Sequence, residues 1–361
     1  MIIDGQWGST GKGKIAGYLA IRNDISVATS DFQANAGHTW VGEGKVHGNE
    51  KYVVRHIPMA FLNTGTILCL NPGSGILLDV LMQELEMTHD YDVRRRLKIH
   101  PNAGVITADD TALEGRELVG VASTMKGCGA ALARKVMRKA TLAKDVPELR
   151  QFLADTTKIT NQAIRAGGTV LLESAQGFDL SLNHGKEYPY TTSRDVTTAS
   201  VLSNAGVPPH VLGRVIGSLR THPIRVGNVY DRGVQLGYSG NYYSDQCEIS
   251  WPDLQEWSGA KEPVVEKTTV TGRVRRVFTW SHEQFIKFCT VCGPTDLFIN
   301  FINHVNAEDY GKRTWNELSE KSREWIYDVE RSIADSTQLH VRPDVTYIGT
   351  GPKDSEMVCR L

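Results

Sequence analysis

The chain has 361 residues, enough for one large domain or two modest ones. Lys plus Arg number 40 and Asp plus Glu 41, so the net charge of −1 gives no electrostatic reason to expect nucleic acid or a membrane surface as partner. A hydrophobic fraction of 40% is ample for a core, no apolar run approaches the roughly 20 residues of a bilayer-crossing helix, and six scattered cysteines suit a reducing cytosol better than a disulfide framework.

Ile2 and Ile3 read as a short strand. They run at once into Asp4-Gly5-Gln6-Trp7-Gly8-Ser9-Thr10-Gly11-Lys12-Gly13-Lys14, which leaves no room for a signal peptide. Ile15, Tyr18, Leu19 and Ile21 then recur as in a helix. A strand, a Gly-rich loop and a helix N-terminus cradle phosphate, because backbone N–H groups approach the anion and Lys adds full charge. Gly8 and Gly13-Lys14 satisfy G-x-x-x-x-G-K, but Ile15 stands where Ser or Thr binds magnesium. This is not an ordinary P-loop, and any metal takes its ligands elsewhere. A plain glycine turn entering a helix is the alternative; two lysines beside the glycines favour the anion site.

Farther along, residues 67–70, 169–172, 214–216, 297–301 and 345–348 read as buried strands, and 77–86, 146–166 and 317–332 as helices. The alternation predicts an α/β fold with a largely parallel central sheet and flanking helices. Residues 106–165 read as a mostly helical excursion. No boundary forces a second domain, so 1–361 reads as a single catalytic domain. Cys289 and Cys292 form one C-x-x-C with no second pair, which reads as structural rather than zinc-binding.

Polar clusters stand where the strands end. Asn35-Ala36-Gly37-His38-Thr39 follows the apolar run at 25–28, and His38 there is either a satisfied structural histidine or a donor to developing oxyanion charge. Ser123-Thr124-Met125-Lys126-Gly127-Cys128-Gly129 has the composition of an anion cradle and is followed by Arg134, Lys135 and Arg138. Glu173-Ser174-Ala175-Gln176-Gly177 closes one strand, and a turn-rich loop covers 184–193. Thr271-Gly272-Arg273-Val274-Arg275-Arg276 presents three guanidiniums suited to carboxylate or phosphate, or else a solvated basic strand edge.

The order of these clusters resembles the adenylosuccinate synthetases nearly end to end. The carriers are Gln6-Trp7-Gly8 with Gly11-Lys12-Gly13-Lys14, Asn35 to Thr39, Ala175-Gln176-Gly177, Tyr188-Pro189-Tyr190 with Thr192-Ser193, Arg225-Val226-Gly227, Thr271-Gly272-Arg273 and Thr350-Gly351-Pro352. That family joins aspartate to a purine 6-oxo group, driven by a nucleoside triphosphate and Mg²⁺, through a 6-phosphoryl intermediate, and its members are homodimers. The resemblance implies that Gly8, Thr10, Gly11, Lys12, Gly13 and Lys14 hold donor phosphates, with Lys12 on the group in flight, and that His38 stabilises the 6-oxygen. It implies Mg²⁺ contacts at Ser9 and the Gly37 carbonyl. Asn35, Ser123, Thr124, Arg138, Gln176 and Thr192 match contacts to the acceptor nucleotide, Arg138 reaching the partner subunit's ligand. Val270, Thr271, Gly272, Arg273 and Arg275 match the aspartate loop. Asn300, Asn303, Gly351 and Pro352 match the donor-base pocket.

Two departures redirect the reading. The family loop reads Gly-Asp-Glu-Gly-Lys-Gly-Lys, and its Asp, the base that takes the purine N1 proton, is Ser9 here. A carboxylate fitted to N1–H would crowd a 2-amino group, whereas Ser leaves room. The same substitution marks the phage-encoded branch that makes 2-aminoadenine nucleotides from dGMP, and this chain looks like that branch. The family's guanine reader, T-K-x-D, is replaced by Asn300-Phe301-Ile302-Asn303, and an amide suits adenine, so ATP or dATP is the expected donor. The expected reaction ligates L-aspartate to dGMP in the cytoplasm, the host's if phage-encoded, with no nucleic acid or membrane partner. The alternatives are an ordinary synthetase acting on IMP and an inactive nucleotide-binding homologue.

Overall fold

The computed structural model describes residues 1–44, 48–268 and 272–360. Their contacts divide into two compact units. The first comprises Met1–Ile2, Gly13–Ala175 and Ala199–Gly213; the second comprises Ile3–Lys12, Gln176–Thr198 and Arg214–Leu361.

The first unit is built on strands β1 (Ile2–Asp4, entering through Ile2), β2 (Ile25–Ser30), β3 (Ile67–Leu70), β4 (Leu97–Ile99) and β5 (Thr169–Glu173). Their order is β1-β5-β2-β3-β4 and every pairing is parallel. Both faces are covered, so Val27, Ala28, Leu68, Cys69 and Leu70 are all buried, the near-continuous apolar pattern of a parallel sheet. Its helices include α1 (Lys12–Arg22), α2 (Leu78–Met87), α3 (Ala108–Glu117), α4 (Cys128–Val136) and α5 (Thr156–Arg165). The expected helix at 146–166 is broken. Pro147–Phe152 forms a 3₁₀ turn, Leu153 is extended, and α5 starts at Thr156 because Asp155 caps it by accepting from Lys158 N at 2.9 Å. A hairpin of His38–Gly44 and Gly48–Val54 pairs His38 with Val54. It lies against α1, where a side chain on Gly17 would meet the buried Trp40 ring at 2.3 Å.

The second unit continues from β1 through β6 (Ile216–Arg220), β7 (Asp296–Asn300), β8 (Asp344–Gly349) and β9 (Met357–Cys359). β6, β7 and β8 pair in parallel and β9 is an antiparallel edge. β6 begins two residues later than expected and runs farther. Arg214 instead leaves the strand to pair with Asp296 at 2.5 Å, and Gly217 continues it because a side chain there would meet the Phe288 ring at 2.8 Å. Helix α6 (His282–Cys292) buries Phe285, Phe288, Cys289 and Cys292. Burial raises both thiols, Cys292 to about 12, so this C-x-x-C is an inert part of the core. Helix α7 (Glu320–Asp335) starts after Ser319, which caps it, while Trp315–Glu317 forms a separate turn.

The strand ends carry the polar clusters. In the first unit, the chain just beyond the hairpin is anchored by the buried Glu84 carboxylate, which accepts from Arg55 N at 2.6 Å, His56 N at 3.1 Å and Ile57 N at 3.0 Å. Glu84→Ala leaves these amides without acceptors at roughly 1–3 kcal/mol for each that stays dry. The denaturant midpoint is expected to fall by an amount equivalent to at least about 2 kcal/mol. An unchanged midpoint would show that water replaces the carboxylate.

Candidate active site

The second unit holds the loop from Asp4 to Lys12. Asp4 is fully buried at the end of β1. Its Oδ1 accepts from Gln6 N at 2.9 Å and Gly8 N at 3.3 Å, and its Oδ2 accepts from Thr10 Oγ1 at 2.7 Å and Lys12 Nζ at 3.0 Å. Lys12 also donates to the Gln176 carbonyl at 2.8 Å. Gly11 has φ +102°, and a Cβ there would lie 2.2 Å from Asn300 Nδ2, so only glycine fits. Ser9, exposed at the loop's tip, takes φ +58°, a left-handed backbone uncommon outside glycine.

Arg220, at the end of β6, secures that tip. It is fully buried, donates from Nη1 to the Ser9 carbonyl at 3.1 Å, and pairs through Nη2 with Glu266 at 2.5 Å. Burial would raise the Glu266 carboxyl, but the Arg220 charge outweighs it and holds the group below its usual range. The guanidinium also lies 4.1 Å from the Phe301 ring centroid. Asn300 donates to the Thr10 carbonyl at 3.1 Å, so this expected base-pocket residue braces the loop. Behind it, Trp7 stacks with Tyr243 at 6.2 Å and lies 4.7 Å from the Arg225 guanidinium, which burial pushes down to about 10.

The remaining expected residues of this unit lie at strand ends, in one cleft, or in the loop after Leu180. Arg273, Arg275 and Arg276 line a cavity of about 530 Å³ with Gly227, Tyr230 and Glu248. Arg273 donates to the Gly227 carbonyl at 3.0 Å, and burial lowers both Arg273 and Arg275. The Arg275 Nε is buried without a partner among the described residues. Gly272 is exposed beside them, while Val270 and Thr271 lie outside the described residues. Asn303 is half-buried in the turn Ile302–His304 after β7; Gly351 and Pro352 follow the neighbouring β8. Thr192 is half-buried, its N–H on the Leu180 carbonyl at 2.7 Å.

In the first unit, His38 opens the hairpin and is buried. Its Nδ1 lies 2.6 Å from Glu173 Oε1 at the end of β5, and Glu173 Oε2 accepts from Met59 N at 2.8 Å. A carboxylate only accepts, so Nδ1 carries hydrogen and the ring is fixed in orientation. Nε2 is buried with no partner among the described residues. A buried ring nitrogen left over after the other is tied to a carboxylate points to a ligand contact. Gly13 packs on this segment, since a Cβ there would lie 2.6 Å from the Thr39 carbonyl oxygen and 3.0 Å from the His38 carbonyl carbon. Lys14 is buried in the same first turn of α1; Asn35 is half-buried and Gly37 exposed in the turn before His38.

The stretch from Ser123 to Gly129 differs from the expected cradle. The buried Glu114 carboxylate takes the N–H groups of Gly127 at 2.8 Å and Gly129 at 2.6 Å, so the α4 N-terminus already holds an anion. Ser123 and Thr124 stand half-buried before it, with Ser123 Oγ accepting from Met125 N. Arg134 pairs with Asp110 and Lys135 caps the Pro72 and Asn102 carbonyls, while Arg138, at φ +62°, is exposed beside Val136 and Met137.

Sequence reasoning assigned no role to Asp4, Glu173, Arg220 or Glu266. The clue at Asp4 is a charge ending an apolar strand, and at Glu173 a charge ending another. Ser9 and Gly37 offer the hard oxygen donors that Mg²⁺ takes. Among the described residues no group of three or more His, Cys, Asp or Glu could hold a metal.

The family model of adenylosuccinate synthetase matches residues 1–152 and 140–306. Adenylosuccinate synthetase of Methanococcus vannielii is 35% identical over 364 residues, 99% of this chain and 97% of that protein. The N6-succino-2-amino-2'-deoxyadenylate synthase of Vibrio phage phiVC8 is 35% identical over 375 residues, 100% and 97% of the two chains. The solved succinoaminodeoxyadenylate synthetase of cyanophage S-2L, bound to dGMP and dATP as an energy donor, has a TM-score of 0.79 at 31% identity, covering 99% of this chain and 94% of that one. The chain belongs to the adenylosuccinate synthetase family. It is a ligase that forms a C–N bond in purine nucleotide synthesis, and its relatives include the phage branch.

His38→Asn is expected to leave nucleotide affinity near native and to lower turnover by about 100-fold or more, the pattern of a contact made in the transition state. Single-turnover kinetics with calorimetric nucleotide binding reads both. A variant whose folded fraction turns over normally would make the histidine structural.

Proposed function

We propose that this chain condenses L-aspartate with dGMP, using ATP or dATP and Mg²⁺, to give N6-succino-2-amino-2'-deoxyadenylate. The observation that carries the reading is Ser9, an exposed hydroxyl at the loop tip where the family's base is a carboxylate. Identity does not separate the branches, since the archaeal synthetase and the phiVC8 enzyme are both 35% identical. The dGMP and dATP bound by the S-2L enzyme support the substrate pair.

In this reading guanine O6 attacks the γ-phosphorus, its bond to the β,γ-bridging oxygen breaks, and ADP or dADP leaves. The N1 proton departs to a bound water, a substrate phosphate oxygen or a neighbouring side chain. The aspartate amine then attacks C6, inorganic phosphate leaves with O6, and the amine loses a proton. Lys12, Lys14, Gly8, Gly11, Gly13 and Thr10 bind the triphosphate. His38, oriented at Nδ1 by Glu173, turns Nε2 toward O6 and stabilises the charge that gathers there. Arg273 and Arg275 clamp the aspartate carboxylates with the loop from Val270 to Gly272. Asn35, Ser123, Thr124, Gln176 and Thr192 contact the acceptor, and Asn303 reads the donor base with Gly351 and Pro352 beside it. Ser9 and the Gly37 carbonyl would hold Mg²⁺, which would neutralise phosphate charge.

The whole chain acts as one catalytic domain and pairs as a homodimer, Arg138 reaching the partner's ligand. The exposed Arg138, with Val136 68% and Met137 64% exposed beside it, supports that surface. All six cysteines are free thiols, which supports a cytoplasmic setting.

Initial rates across dGMP, GMP and IMP, each with aspartate and ATP, test the acceptor. dGMP is expected to be turned over faster than IMP, and Ser9→Asp to weaken dGMP use. Faster native turnover of IMP overturns the specialised reading in favour of an ordinary synthetase. Donor choice is tested at subsaturating nucleotide. A mispaired buried polar group costs roughly 1–3 kcal/mol, so ATP is expected to be preferred over GTP by at least about tenfold, with Asn303→Asp shifting preference toward GTP. Equal use of the two donors contradicts the base assignment.

A further inference from the structure

We propose that Asp4 is the positioning residue that sets Lys12 for phosphoryl transfer, supplying from the end of β1 the carboxylate that this loop lacks at position 9. The inference rests on the phosphoryl-transfer reading of the loop, whichever purine is the acceptor.

The two Asp4 oxygens do different work. Oδ1 accepts from Gln6 N and Gly8 N and shapes the turn, a task any amide oxygen performs. Oδ2 faces Thr10 Oγ1 at 2.7 Å and Lys12 Nζ at 3.0 Å, and only an anion suits an ammonium there. Thr10 Oγ1 also lies 2.8 Å from Ser218 Oγ, which fixes the hydroxyl on β6. Asp4 is 0% and Lys12 5% exposed, so each charge is costly without the other. Lys12 is the one cation the described residues bring to this carboxylate.

Lys12 Nζ has three hydrogens. Asp4 Oδ2 and the Gln176 carbonyl take two, at 3.0 and 2.8 Å. The third has no protein acceptor among the described residues and is held in a fixed direction by the other two. A long flexible side chain thereby meets a phosphate oxygen already oriented, which removes an ordering cost from the transition state. A carboxylate on β1 does this from beneath the loop and leaves the tip at Ser9 free for substrate.

Asp4→Asn tests this because it retains an Oδ1 for the turn while placing an amide NH₂ or a neutral oxygen before the ammonium. The full-length protein is assayed with whichever of dGMP or IMP the native protein turns over. Asp4→Asn is expected to lower kcat by about 30-fold or more while the KM for aspartate and for the acceptor stays within about twofold, and Asp4→Asn/Lys12→Gln to be no slower than Lys12→Gln alone. A kcat within about threefold of native, or a double variant whose loss is the product of the two single losses, overturns the proposal. If Asp4→Asn does not fold, the double variant decides. Recovery of the folded state once the Lys12 charge is removed supports the pair, and no recovery overturns it. A native protein that uses neither acceptor fails the functional reading instead. Calorimetry with Mg·ATP then tests the pair alone, at least about tenfold weaker binding by Asp4→Asn being expected and unchanged binding overturning it.

Discussion

A carboxylate with no solvent around it must be surrounded by donors, and Asp4 makes the loop above it fold to provide them. Gln6 and Gly8 turn their amides inward, Thr10 turns its hydroxyl inward, and Lys12 reaches back from the first turn of α1. The rest of the loop follows from that constraint. The chain has to double back over a short span, which requires positive φ at Gly8, Ser9 and Gly11. The outward bulge is then held by two buried side chains, Asn300 on the Thr10 carbonyl and Arg220 on the Ser9 carbonyl. Both come from the ends of parallel strands, where open α/β sheets present their ligand sites.

The same logic appears in the first unit with a different pair. His38 is tied at Nδ1 to Glu173, and Glu173 is tied at its other oxygen to Met59 N. One nitrogen is tied down for orientation, and the other is buried and unpartnered among the described residues. Arg220 and Glu266 repeat the arrangement in the second unit, where the segment leading to Arg273 and Arg275 is fastened to the residue that braces Ser9. The segment carrying Arg273 and Arg275, proposed to bind aspartate, and the glycine-rich loop thus share one buried guanidinium.

Much of this was legible from residue order. The strands at 67–70 and 345–348 and the loop after Ile3 follow from apolar runs meeting glycine, and the structure has β3, β8 and the loop there. The helix at 146–166 was misread because apolar spacing continues through Pro147 and Asp155, whereas capping chemistry stops and restarts the backbone. The strand after Arg214 was cut short because Gly217, Ser218 and Arg220 look polar in sequence, yet all are buried. The supporting charges escaped notice for a common reason. Asp4 and Lys12 are eight residues apart, His38 and Glu173 are 135 apart, and Arg220 and Glu266 are 46 apart, so no local pattern joins them. The filled α4 N-terminus was invisible for the same reason, Glu114 lying outside the glycine-rich stretch it caps.

The central claim is that this loop and His38 phosphorylate the 6-oxygen of guanine before aspartate arrives at C6. Isotope transfer reads that step directly. With dGMP labelled by ¹⁸O at position 6, aspartate and ATP, mass spectrometry of the released phosphate is predicted to show one ¹⁸O per phosphate formed, because O6 leaves bonded to phosphorus. Unlabelled phosphate, with the ¹⁸O remaining on the nucleotide or passing to water, would contradict the account.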